Sequence, residues 1–124
     1  MKGNRASEAG RRGENAALEH LESQGLTLLC RNFRRPFGEI DLIMREGNSI
    51  VFIEVRVRHH PAFGDGLTSI TRSKRRRLWR TAAAYLQARP DLAAQPSRFD
   101  VVSVTADGNH SDCTWVVDAF CEDG

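Results

Sequence analysis

The chain has 124 residues, of which 40% are hydrophobic and 27% are charged, and its formal net charge is +2. This length suits one domain over residues 1–124, and the composition is that of a soluble globular protein rather than a disordered or membrane protein. No apolar run approaches the ~20 residues that a membrane helix needs, and no signal-peptide stretch follows the charged start. We therefore expect a cytoplasmic protein without membrane contact, with flexible tails at residues 1–8 and 121–124. The three widely spaced cysteines argue against a disulfide framework and against a zinc site.

The first predicted element is a helix that begins near residue 7 or 11, runs to residue 24 and is closed by Gly25. Its apolar stripe consists of Ala17, Leu18 and Leu21. Glu14 lies one turn before Leu18 on the same face. Two interpretations of Glu14 follow: it lies at the edge of the apolar stripe, or its carboxylate points toward the core side as part of a site.

Three strands are predicted next. Residues 26–30 form a short apolar run, which is typical of a strand, and residues 32–37 are predicted as a loop or an irregular edge. Residues 39–44 and 49–58 are predicted as a hairpin, because Gly47 lies in the short segment between them and favours a tight turn. In the second strand of this hairpin, the two-residue period places Glu54, Arg56 and Arg58 on one face and the valines on the other.

A loop is predicted over residues 59–66, followed by a second helix from about residue 68 or 71 to residue 88. This helix stops before Pro90, since proline removes a backbone donor and disfavours a helical residue before it. The buried stripe of the helix is predicted to contain Leu78, Ala82, Tyr85 and Leu86. Lys74 lies one turn before Leu78 and therefore also points inward.

The last third of the chain is predicted to form strands. Residues 99–104 are a strand, residues 107–109 a turn, and residues 114–120 a final strand or the start of a short helix. Asp100 is expected to be structural and to pair with Arg98 or with a backbone group. The order of these elements predicts an α/β sandwich in which helices cover a mixed sheet.

A pair of acidic residues carries the strongest sign of chemistry. Asp41 and Glu54 lie on adjacent strands of the predicted hairpin, so folding brings their carboxylates together. Two like charges repel unless a cation or a proton compensates, and hard oxygen ligands suit Mg²⁺ or Mn²⁺. With Glu14 as a third carboxylate, we predict a metal site formed by Glu14, Asp41 and Glu54. The alternative is a pair of exposed carboxylates matched to Arg56 and Arg58.

These residues resemble a known motif. Asp41 followed by Glu54-Val55-Arg56 is similar to the PD-(D/E)XK signature of restriction-endonuclease-like nucleases. Most of the chain also resembles the YraN-type family of largely uncharacterised bacterial proteins. The blocks that carry this second resemblance are residues 13–17, 31–33, 38–43, 51–56, Lys74 and residues 98–102. It implies a restriction-endonuclease-like sandwich with a mixed central β-sheet flanked by helices, similar to archaeal Holliday-junction resolvases; by analogy with those dimeric enzymes, we expect a homodimer.

The resemblance also implies catalytic roles for Asp41, Glu54 and Arg56. In the signature, the acidic residues hold the metal ion and a lysine at the position of Arg56 assists the attacking water. Arginine stays protonated at ordinary pH, so Arg56 is a poor general base, although it can hold a phosphate or stabilise developing negative charge. Lys74 is a candidate substitute for the missing lysine.

Basic residues are concentrated beside this site, and we predict that Arg58, Lys74, Arg75 and Arg76 bind nucleic acid through its phosphates. The alternative is a merely solvated basic helix. Three functions are compatible with the sequence: a metal-dependent endonuclease acting on branched or structured DNA, a non-catalytic nucleic-acid-binding module with a degenerate nuclease site, and an assembly domain in which the carboxylates and arginines pair with each other.

Overall fold

A computed structural model describes residues 8–58, 70–107 and 110–120. The tails at residues 1–7 and 121–124, the loop predicted over residues 59–66 and most of the turn predicted at residues 107–109 therefore lie outside the described residues. The elements in chain order are α1 (Glu8–Ser23), β1 (Thr27–Arg35), β2 (Gly38–Glu46), β3 (Ser49–Arg58), α2 (Arg72–Ala88), α3 (Pro90–Ala93), β4 (Ser97–Asp107) and β5 (His110–Phe120).

The five strands form one mixed sheet in the order β1-β2-β3-β4-β5. Neighbouring strands are antiparallel except β3 and β4, which are parallel. Parallel neighbours require a crossover connection, and the segment that contains α2 and α3 lies between β3 and β4 in the chain. The α/β class and the mixed sheet flanked by helices are thus confirmed, and the arrangement is consistent with the expected restriction-endonuclease-like sandwich.

Each face of the sheet is covered by a helix that buries its apolar stripe. The core on the α1 side contains Ala17, Leu21, Leu26, Leu42, Met44, Val51, Ile53, Val102 and Val104. The core on the α2 side contains Ile40, Ile43, Ile50, Phe52, Ile70, Leu78, Ala82, Tyr85, Leu92, Phe99 and Val101. Each large side chain buried in this way contributes about 1.5 to 3 kcal/mol. None of the helices in the described part of the chain has the length and apolar content that crossing a bilayer demands.

A close contact between α1 and β3 sets the position of α1 over the sheet. A Cβ atom on Gly13 would overlap Cγ2 of Val57, so only glycine allows the helix to approach the strand this closely. The contact also shows that Val57 faces α1, as the two-residue period of β3 predicted. Because Glu14 follows Gly13 directly, this contact also determines where the Glu14 carboxylate lies.

The structure decides between the alternatives for two segments and adds one element. Of the loop and the irregular edge predicted at residues 32–37, the irregular edge is confirmed through Arg35: these residues belong to the edge strand β1, which pairs with β2 as far as Arg35 opposite Gly38 and contains Asn32 with a positive φ. The last segment is a strand, β5, throughout its described length, so the short-helix alternative is wrong. Helix α2 ends before Pro90 as predicted, but a short helix then begins at that proline, where a missing N–H costs nothing.

Candidate metal centre

Strands β2 and β3 separate at one end of their shared ladder. Their last paired residues are Leu42 and Ile53. The next residue along each strand in this direction is Asp41 in β2 and Glu54 in β3. Beyond this point the Oδ2 atom of Asp41 accepts a hydrogen bond of 2.8 Å from the backbone N–H of Val55. A carboxylate thus satisfies a backbone donor that the ladder leaves without a carbonyl partner. This bond holds the side chain of Asp41 in the gap between the two strands.

The alternation of side chains in β2 breaks at the same place. Ile40 packs in the core on the α2 side, whereas Leu42 packs in the core on the α1 side. In a regular strand, residues two apart share a face. The chain therefore turns about its own axis at Asp41, and the period of the sequence alone does not predict the direction of that carboxylate.

A matching irregularity lies across the ladder, in β1. Asn32, which is opposite Asp41, has a φ of 52°, in the left-handed region that residues other than glycine rarely adopt. As a result, Arg31 turns toward α1 while Phe33 packs against the core on the α2 side. The reversal brings a cation and an amide from an edge strand beside the acidic residues.

Glu54 lies on the face of β3 opposite the valines, as predicted; this face is the α2 side, and Glu54 is only 7% exposed there. Its Oε2 atom is 2.7 Å from Nζ of Lys74, in the first turns of α2. The prediction that Lys74 points inward is therefore confirmed. The ammonium group of Lys74 thus reaches the point where the ladder between β2 and β3 ends, and its charge compensates one of the two central carboxylates.

Asp41 carries the electrostatic strain of the site. The pKa of Asp41 is raised from 3.8 to about 8, chiefly by burial and next by the neighbouring charge of Glu54. The hydrogen bond from Val55 lowers this pKa, while the charges of Glu14 and Glu39 add smaller increases. Ionised Asp41 thus lies among like charges, and this is the environment that a bound cation would relieve.

Glu14 approaches the centre from α1, but both of its oxygens are engaged. Its Oε1 atom accepts hydrogen bonds of 3.2 and 2.8 Å from Nε and Nη2 of Arg31. Its Oε2 atom accepts a bond of 3.1 Å from Nδ2 of Asn32, which also donates to Oε2 of Glu39 at 3.3 Å. Glu14 is therefore close enough to influence Asp41 and is held in place by partners from β1.

The donor set that fits a metal ion is accordingly smaller than the sequence predicted. Within the described ranges, no group of three or more His, Cys, Asp or Glu side chains is arranged to hold an ion. Mg²⁺ is usually bound through one or two carboxylates together with water and substrate phosphates, rather than by a cage made only of protein groups. The pair Asp41 and Glu54 matches that pattern in number and in ligand hardness. Glu14 lies beside this pair and contacts Arg31 and Asn32.

The predicted nucleic-acid-binding residues have different surroundings. Arg56 and Arg58 follow Glu54 on β3, and both are partly buried. Lys74 pairs with Glu54, and Nη1 of Arg75 donates to the backbone carbonyl of Ile70 at 2.9 Å, which fixes the segment before α2. Exposed arginines are found farther along α2, beginning with Arg76.

Sequence reasoning missed Arg31 and Asn32 as members of the centre, because Arg31 was assigned to no element and Asn32 was predicted to begin a loop or an irregular edge. The sequence contains one sign of the backbone reversal, which is Asn32 itself. Asparagine adopts the left-handed conformation more readily than most residues, and here it interrupts a run of strand-forming residues. By contrast, Asp100 is structural, as predicted: it is fully buried and accepts hydrogen bonds from Arg98, from the indole N–H of Trp115 and from the backbone of Asp118.

Comparison with known proteins adds a family to this geometry. The profile of the uncharacterised protein family UPF0102 matches residues 13–104. A UPF0102 protein from Alkalilimnicola ehrlichii is 53% identical over 117 residues, which cover 94% of this chain and 90% of the relative. Relatives from Halorhodospira halophila and Stutzerimonas stutzeri, both also called UPF0102 proteins, are 47% and 45% identical and cover 92% and 90% of this chain, and 88% and 93% of their own lengths. These names carry no activity.

Proposed function

This chain belongs to the uncharacterised protein family UPF0102, and we propose that it is a metal-dependent nuclease-type protein that hydrolyses phosphodiester bonds in branched or structured DNA. The observation that carries the proposal is the separation of β2 and β3 at Leu42 and Ile53, beyond which the Asp41 carboxylate lies in the gap and the neighbouring charge of Glu54 raises its pKa. Placing two acidic groups together costs folding free energy, and such a cost is typical of a functional site.

Asp41 and Glu54 would hold Mg²⁺ or Mn²⁺, and the ion, when bound, would polarise a phosphoryl oxygen and neutralise charge that builds up in the transition state. Lys74, 2.7 Å from Glu54, is near enough to orient a water molecule or a phosphate oxygen. The ammonium group of lysine carries three rotatable N–H donors, which suit this orienting role. We therefore assign to Lys74 the role that the signature gives to a lysine at the position of Arg56, and we assign to Arg56 the binding of phosphate.

A cleavage screen tests the proposal. Purified protein is incubated with Mg²⁺, Mn²⁺ or EDTA and with duplex, single-stranded and four-way-junction DNA. We expect cleavage with Mg²⁺ or Mn²⁺ of at least one form, reduced by about 100-fold or more in Asp41→Asn and in Glu54→Gln, as for the loss of a group that acts on the transition state. The matched control is Glu22→Gln, since Glu22 is exposed on α1 and far along the helix from Glu14. If neither metal supports cleavage of any of these DNA forms, the proposal is wrong.

One observation favours a second candidate, a nucleic-acid-binding module without catalysis. Lys74 pairs with Glu54 and Arg31 pairs with Glu14, so protein cations already compensate two of the carboxylates. If these ion pairs replace a metal, binding to DNA is indifferent to Asp41→Asn, and calorimetric titration with Mn²⁺ gives no heat. The nuclease proposal requires the opposite titration result: heat of binding in the unmodified protein and none in Asp41→Asn. Heat of binding also argues against a pure assembly domain.

A further inference from the structure

Helix α2 is strongly basic. Its 17 residues include six arginines and lysines and no acidic residue. Three of the cations, including Arg72, lie in the first turn, where the helix dipole favours negative charge. The positive charge at the start of α2 therefore does not stabilise the helix. We next consider whether it binds a partner outside the helix.

Four arginines of α2 are exposed, and the three that follow its first turn are available for such a purpose. Arg76, Arg77 and Arg80 are exposed, and within residues 8–58, 70–107 and 110–120 no ion pair joins any of them to a carboxylate. Nη1 of Arg77 donates to the hydroxyl of Ser73 at 3.0 Å, a contact within the helix. These side chains thus differ from Lys74 and Arg75, whose charged groups are used inside the fold.

The turn between β1 and β2 brings one more arginine to the same surface. A Cβ on Gly38 would come within 2.5 Å of the Thr81 hydroxyl and 3.3 Å of the Arg77 carbonyl, so the turn is seated directly on α2. Arg35 precedes this turn and is exposed, whereas its neighbour Arg34 pairs with Glu39 at 3.2 Å. We call the four residues Arg35, Arg76, Arg77 and Arg80 the arginine surface.

Two guanidinium groups of the arginine surface lie over aromatic rings. Arg80 is 4.1 Å from the ring centre of Phe37, and Arg35 is 4.3 Å from that of Phe33. Stacking restrains the guanidinium plane and leaves its N–H edge free to donate to oxygen. It also covers a face of each ring, so these rings are poor platforms for unpaired bases, which proteins that bind single strands commonly use. The chemistry of the surface therefore matches phosphate oxygens, whose contacts carry no sequence information.

The dimensions agree with a nucleic-acid backbone. Six residues of helix separate Lys74, at the acidic centre, from Arg80, a length of about 9 Å. Phosphates along one strand of duplex DNA follow one another at about 3.4 Å of helix axis, so this length covers two or three of them. A strand lying along α2 would therefore reach the gap that holds Asp41 and Glu54.

We infer that the arginine surface binds the phosphate backbone of duplex DNA, independently of sequence, and guides the duplex along α2 to the acidic centre. The inference rests on the proposed function for the choice of DNA as the polymer. Binding through this surface does not require cleavage, so the two ideas can fail separately.

The test measures binding of a fluorescently labelled duplex in EDTA over a range of salt concentrations. The variant Arg77→Gln/Arg80→Gln is compared with Arg11→Gln/Arg12→Gln, a matched pair that is exposed on α1, on the opposite face of the sheet. Each lost phosphate contact reduces the slope of log K against log salt by about 0.9, so we expect a reduction of about 1.8 in the α2 variant. The α1 variant keeps the slope of the unmodified protein, and two duplexes of unrelated sequence bind equally.

A second variant, Arg35→Gln, removes the arginine of the turn and is expected to reduce the slope by about 0.9, which keeps the test decisive if the α2 variant fails to fold. An unchanged slope in both folded variants, or an equal loss in the α1 control, overturns the inference. A single strand that competes better than a duplex of equal length overturns the choice of duplex. If the protein binds duplex DNA as described but cleaves no DNA form, this inference stands and the proposed function is wrong. If the protein cleaves DNA and both variants keep the slope of the unmodified protein, the proposed function stands and this inference is wrong.

Discussion

Replacing Asp41 by Asn is expected to stabilise the metal-free protein at neutral pH. Asparagine has the shape of aspartate, and its Oδ1 atom can still accept the hydrogen bond from Val55. It cannot ionise, so the repulsion from Glu54 and the cost of burying a charge disappear. A variant that removes a candidate catalytic group is thus expected to gain folding free energy.

The magnitude follows from the raised pKa of Asp41. A group whose pKa is higher in the folded state binds its proton more tightly there, so its contribution to stability is complete below about pH 4 and is lost as the pH rises through about 8. One pKa unit corresponds to about 1.4 kcal/mol, and at pH 7 the unfolded chain is already fully ionised at this residue. Allowing for the partial exposure of Asp41, we expect Asp41→Asn to raise the free energy of unfolding at pH 7 by on the order of 2 to 4 kcal/mol.

Urea unfolding in EDTA at pH 5, 7 and 8.5 measures this difference, which should grow with pH. The matched control is Asp118→Asn, because Asp118 is exposed and asparagine adopts its φ of 56° as readily as aspartate does. Saturating Mg²⁺ or Mn²⁺ should stabilise the unmodified protein by about 2.7 kcal/mol at 100 times Kd and leave Asp41→Asn unchanged. If Asp41→Asn is destabilising, or if its effect is the same at all three pH values, the electrostatic reasoning is wrong.

Three further substitutions test the supports of the centre by urea unfolding. Lys74→Met leaves the carboxylate of Glu54 without its cation and should cost on the order of 1 to 3 kcal/mol, most of which the double variant with Glu54→Gln recovers; additive effects would contradict the pairing. Asn32→Gly should be more stable than Asn32→Ala by about 1 kcal/mol, because only glycine accepts the left-handed backbone without strain, and equal stabilities would refute this. Gly13→Ala should destabilise by about 1 to 3 kcal/mol through overlap with Val57, with partial recovery on Val57→Ala as the check.

Much of the architecture was determined locally and could be predicted. Helical spacing identified the stripes of α1 and α2, and a two-residue period together with a glycine turn identified the hairpin of β2 and β3. The same spacing placed Asp41 and Glu54 on adjacent strands and turned Lys74 inward, because each of these features depends on residues only a few positions apart. Periodicity could not predict which side chains contact each other when they are far apart in the sequence.

Those partners were decided by tertiary structure. Pairing with β2 made a strand of the segment around Asn32, and the reversal of the backbone at that residue turned Arg31 toward Glu14, 17 positions earlier in the chain. The end of the ladder between β2 and β3 put the Asp41 carboxylate on the Val55 N–H. Backbone hydrogen bonds between strands are worth more than the weak local preferences of a polar segment, so assembly of the sheet, rather than periodicity, selected the groups that surround the two carboxylates.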